Sequence, residues 1–119
     1  MSSLLCGSSD LEERGRAVTF RVQKEQRIYP AFVVRADGVA RGYLNACAHV
    51  GLPLDGRRGQ FWYLDGTYLG CVQHGAIYEP DTGLCVRGPC EGLSLIALNV
   101  VERDDNIYLE EEQYLLVTE

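Results

Sequence analysis

Short apolar runs, many of them β-branched or aromatic, are cut at close intervals by turn dipeptides. Residues 28–35 (IYPAFVVR) and 39–45 flank Asp37-Gly38 and predict a hairpin. Pro30 has no N–H to give to a neighbouring strand, which assigns the first run to a sheet edge or a strand start. Residues 61–64 and 67–70 flank Asp65-Gly66 in the same way. Further strands are predicted at 17–22, 76–78, 84–86, 95–102 and 107–109, with Asp104-Asp105-Asn106 turning the chain between the last two. No segment has a helical period. Residues 110–119 read as a solvated tail or, given their acidic start, a short C-terminal turn. Many short strands at close spacing predict an all-β fold, a barrel or a sandwich.

Length and charge narrow the function. The chain has 119 residues, enough for one domain that folds without staples. Seventeen Asp and Glu against eleven Lys and Arg give a net charge of −6, which repels phosphate backbones and anionic lipid heads. Neither nucleic acid nor a membrane surface is therefore an expected partner. No apolar run is long enough for a transmembrane helix. Residues 1–10 have neither the basic start nor the apolar core of a signal peptide. Five cysteines, an odd number without an export signal, point to a reducing compartment, hence the cytoplasm.

The rare residues carry the chemistry. The two histidines, His49 and His74, each lie one or two residues from a cysteine: Cys47-Ala48-His49 and Cys71-Val72-Gln73-His74. Two ligands close in sequence are fixed by one turn at small entropic cost. Gly51 and Gly75 follow the two pairs and let backbone amides approach a negatively charged centre. Each pair follows a predicted strand, so two fingers at one end of the barrel would bring the four side chains together. Such a set suits either a closed tetrahedral zinc site or a [2Fe–2S] cluster with thiolates on one iron and imidazoles on the other. Zinc modules usually pair like with like in each arm. Here each arm carries one cysteine and one histidine, which favours iron–sulfur.

The segments CAHVG and GCVQHG resemble the two cluster-binding loops of Rieske-type iron–sulfur domains. The likeness continues through EPDTG at 79–83 and Arg87-Gly88-Pro89, and spans about 16–109. It implies an N-terminal extension at 1–15, a Rieske-type antiparallel β barrel or sandwich at 16–110 and a tail at 111–119. Its cluster-binding subdomain would sit at one end, with loops at about 45–90. It further implies one [2Fe–2S] cluster per chain, with Cys47 and Cys71 on the inner iron, His49 and His74 on the outer iron, and Pro89 covering the centre. The high-potential branch of that family carries a loop disulfide and a serine donor. Leu52, Gln73 and Ala76 stand at those positions here, while Tyr78 keeps the place of a tyrosine donor. The chain therefore resembles a Rieske-type ferredoxin, an electron carrier rather than an enzyme, between a reductase and an acceptor such as an oxygenase. The rival readings are a Rieske-like small subunit of a larger oxidoreductase of the nitrite-reductase type, and a zinc-stapled module. Cys85 and Cys90 flank VRGP and read as structural thiols, with a disulfide or a contact to the centre as alternatives. Cys6 falls in an expected floppy terminus and has no assigned role.

Overall fold

A computed structural model describes residues 2–46, 61–63, 68–70, 76–88 and 91–117, with the Tyr63 side chain left aside. The regular structure of the described residues is strand, in three antiparallel sheets, apart from one 3-10 turn at Ser8–Asp10, as the turn spacing predicts. The central sheet has the order β12-β2-β3-β4-β9, formed by Leu115–Leu116, Val18–Lys24, Arg27–Ala36, Val39–Leu44 and Ala97–Leu98. A second sheet orders β1 (Ser2–Gly7), β11 (Asn106–Glu110) and β10 (Val100–Arg103). The third orders β5 (Trp62–Tyr63), β6 (Tyr68–Gly70), β7 (Ile77–Tyr78) and β8 (Cys85–Arg87).

The run Ala31, Phe32, Val33, Val34 is apolar at four consecutive positions because both faces of β3 are covered. Phe32 and Val34 join a core shared with the third sheet, whereas Ala31 and Val33 pack toward the second. The strand is thus central, and the edge placement suggested by Pro30 is corrected. Pro30 pairs in register with Arg21 on β2, and its carbonyl accepts the Asn45 N–H at 2.8 Å. In a strand the nitrogen and carbonyl of one residue point the same way. The missing N–H therefore faces the point where β4 has already ended, and no ladder bond is lost.

Asp37 and Gly38 both take positive φ, 55° and 79°, as a primed hairpin turn requires. The Glu13 carboxylate accepts both of their N–H groups. Asp104 and Asp105 do the same between β10 and β11, at φ 54° and 63°. The single run predicted at 95–102 is two strands in two sheets. It divides at Asn99, whose carbonyl accepts the Glu110 N–H at 2.8 Å.

Both termini differ from the sequence reading. Residues 2–7, where no strand is predicted and the terminus is expected to be floppy, pair with β11 along its length. The motif SSLLCG lacks alternation, so its strand state comes from the open edge of β11. The Arg35 guanidinium anchors the segment after β1. It donates to the carbonyls of Ser8, Leu11 and Gly38 and grips Glu102 through both carboxylate oxygens, at 2.9 and 2.8 Å. At the other terminus Leu115 and Leu116 pair with Gln23 and Val22, so the predicted tail adds an edge strand to the central sheet.

Candidate metal centre

Cys47, His49, Cys71 and His74 lie outside the described residues, as do Leu52, Gln73, Pro89 and Cys90. The structure does describe the frame from which the two predicted ligand segments depart and to which they return. β4 ends at Leu44, and Asn45, 6% exposed, closes the ladder on Pro30. The chain returns at Phe61, whose carbonyl accepts the Gly70 N–H at 2.8 Å. Gly70 is also paired with Ile77, so residues 71–76 are the connection of a β6–β7 hairpin. The first described residue after the first ligand segment is therefore bonded to the last described residue before the second.

Aromatic packing holds this frame on the central sheet. The Phe61 ring stacks on Phe32 at 4.0 Å and 17°, and Phe32 pairs across the strands with Tyr43, one residue before β4 ends. Ala76, Tyr78 and Cys85 complete the same cluster, all fully or almost fully buried. Tyr78 is thus no solvent-facing barrel residue: its ring lies at 0% exposure, three residues beyond the second ligand segment. The Tyr43 hydroxyl donates to the Pro80 carbonyl at 2.7 Å, and burial pushes its pKa up to about 12, so it remains a donor at any physiological pH. Gly83, at φ +79°, lets the β7–β8 turn close on that ring, because an added Cβ would meet it at 2.9 Å. On the outer side, Trp62 Nε1 donates to the Gly15 carbonyl at 2.7 Å, and the Arg14 guanidinium lies 5.3 Å from the indole centroid.

Cys85 is buried, and its Sγ donates to the Arg87 carbonyl at 3.2 Å. That matches a structural role. Cys6 is half-buried, and burial together with the neighbouring Asp10 raises its pKa, which makes it a poor nucleophile. Among the described residues no group of His, Cys, Asp and Glu is placed to hold a metal ion, and no helix is long and apolar enough to cross a membrane. Outside the described residues lie both imidazoles and three thiols, of which Cys47 and Cys71 are paired in sequence with His49 and His74. Their chemistry fits an iron–sulfur centre of mixed ligation.

Sequence reasoning missed three parts of this frame: the Tyr43–Pro80 lock, the Phe32–Phe61 stack and the Trp62–Gly15 anchor. Each joins residues far apart in sequence, and no local motif marks them.

Comparison with known proteins agrees with this geometry. The family model of the Rieske [2Fe-2S] domain matches residues 2–102. No curated protein sequence matches the chain significantly. Among solved structures, a chain of a complex of reduced oxygenase and oxidized ferredoxin in carbazole 1,9a-dioxygenase is similar, with 22% identity, a TM-score of 0.70 and 94% of both chains covered. Sphingomonas yanoikuyae B1 ferredoxin is similar at 21% identity and TM-score 0.69, covering 94% of this chain and 100% of that one. The ferredoxin of carbazole 1,9a-dioxygenase from Nocardioides aromaticivorans IC177 gives 19%, TM-score 0.71, and coverage of 94% and 99%.

Proposed function

Because the chain belongs to the Rieske [2Fe-2S] domain family, we propose that it is a one-electron carrier of the ferredoxin type. Its cofactor is a [2Fe–2S] cluster, which when bound supplies reversible uptake of a single electron. Cys47 and Cys71 give thiolates to one iron, and His49 and His74 give imidazole nitrogens to the other. The observation that supports this reading is the Phe61–Gly70 backbone bond, which ties the first described residue after one histidine-bearing segment to the last before the other.

The residues divide the work. With the cluster bound, the Cys47 and Cys71 thiolates would offset iron charge, and the His49 and His74 imidazoles, each with one ring nitrogen left over, would complete its ligand set. Ala76 and Tyr78 are fully buried in the core shared with the central sheet. With both histidines bound as ligands, the chain has no candidate base for substrate chemistry of its own. The carrier is expected in the cytoplasm, accepting electrons from a reductase and delivering them to an acceptor such as an oxygenase. The ferredoxins of like fold are named with an oxygenase of that kind.

Purified protein is expected to be red-brown, with visible absorption and an electron paramagnetic resonance signal on reduction. Cys47→Ala and Cys71→Ala remove both signals. His49→Cys or His74→Cys keeps a centre whose spectrum moves toward the all-thiolate type. Full cluster occupancy in either alanine variant rejects the ligand assignment, and zinc without colour in the wild type rejects the carrier.

A further inference from the structure

The face of the central sheet that carries Phe32 and Val34 is covered by the third sheet only part of the way along the strands. Alternation places Pro30 and Ile28 on that same face, beyond the covered part. Cross-strand register carries the row outward, because Ile28 pairs with Gln23 and Gln23 with Leu115. Ile28 and Leu115 are 52% and 58% exposed, among the most exposed large apolar side chains described. Between this row and the covered core lies an open hollow of about 420 Å³, lined by Arg21, Pro30, Asn45 and Val117 among others.

We infer that this uncovered end of the central sheet is a docking surface for the protein that exchanges electrons with the chain. The matching partner surface is an apolar contact ringed by carboxylates. The inference rests on the carrier reading above. Two observations select that partner chemistry. The first is charge: in a chain of net −6, this end bears Arg21 on the face and Lys24 and Arg27 at the hairpin tip. Against them, β2, its turn and the start of β3 have one carboxylate, Glu25. The opposite end, around the 37–38 and 104–105 turns, gathers Asp10, Glu13, Asp37, Glu102, Asp104 and Asp105, against Arg14, which pairs with Glu13 and Asp37, Arg35, which pairs with Glu102, and Arg103. An acidic partner is thus steered toward this end and away from the other. The second is position. The hollow reaches Asn45, two residues before Cys47 in the sequence.

Flavodoxin, an acidic protein with an apolar flavin edge, is a suitable probe. The measurement is the second-order rate of one-electron transfer from reduced flavodoxin to the oxidised holoprotein by stopped flow. The rate is expected to fall with added salt. Arg27→Glu and the double variant Ile28→Ser/Leu115→Ser each slow it about fivefold or more, with the visible spectrum unchanged. Leu4→Ser, which alters an equally exposed leucine on the second sheet, leaves the rate unchanged. Wild-type rates in Arg27→Glu and in the double variant overturn the inference while leaving the carrier intact. So does sedimentation showing a dimer that the double variant dissolves, because the face is then occupied by a second copy. Wild-type protein that takes no electron even from dithionite overturns both readings.

Discussion

The central and third sheets of this molecule are built by opposite means. The three middle strands of the central sheet, β2, β3 and β4, have seven, ten and six residues with a continuous ladder, and both faces of β3 are buried. The third sheet has strands of only two or three residues, and each pair contributes two registered residue pairs. Two- and three-residue strands have little stability alone. The third sheet is held instead by side chains that cross to the central one: Phe61 on Phe32, and Tyr43 to Pro80. The region that frames the metal site is therefore the one with the least backbone structure of its own, and it depends on what binds there and on what lies beneath.

Removing the cluster breaks that comparison most severely. Apo-protein, or Cys47→Ala, is expected to lose several kcal/mol, since the binding free energy of a metal centre is also folding free energy. Amide exchange localises the loss: β5–β8 lose protection while β2–β4 keep it. Equal loss in both sheets would show that they fold as one unit. Phe61→Ala comes next, at about 3–5 kcal/mol, because it empties one side of a fully buried aromatic stack. Chemical denaturation of the holoprotein measures it, and release of the centre should precede loss of strand circular dichroism.

Tyr43→Phe is a smaller change of the same kind. It leaves the Pro80 carbonyl without its buried donor and costs about 1–2 kcal/mol. An unchanged denaturation midpoint would show that water replaces the hydroxyl. The smallest effect sharpens the contrast from the other side. The two-pronged grip of the Arg35 guanidinium holds the Glu102 carboxyl at about 2, against an ordinary 4.5. Its contribution is fully present above pH 4.5 and is lost as pH falls toward 2. Partial exposure limits it to about 1 kcal/mol or less. Glu102→Gln is expected to flatten the acid limb of the stability profile while leaving the cluster spectrum unchanged.

The local signals were legible. Asp37-Gly38 marked a hairpin because only a primed turn, with both central residues at positive φ, joins twisted strands in two residues. The pairing of residues on either side of Asp65-Gly66 followed from the same chemistry and appears as β5–β6, with the turn itself outside the described residues. Two cysteine–histidine pairs, each following a predicted strand, point to the candidate site, because ligand spacing is a local property of the chain. What depended on distant partners was not legible. Residues 2–7 carry no strand pattern, yet β11 has an open edge and takes them. Leu115 and Leu116 sit in an acidic, tail-like context, yet β2 recruits them. Pro30 read as an edge residue because proline cannot donate, and only the register shows that its nitrogen faces a strand that has ended.

By itself the sequence determined the all-β class and the hairpins, since each follows from side-chain chemistry within a few residues, and it is the source of the proposed ligand set. Only the tertiary structure decided which sheet lies in the middle, how Phe61 and Gly70 join the two ligand segments, and which end of the central sheet remains uncovered. Those outcomes are set by contacts between residues far apart in the chain, where the choice among competing edges and faces depends on the whole fold being present.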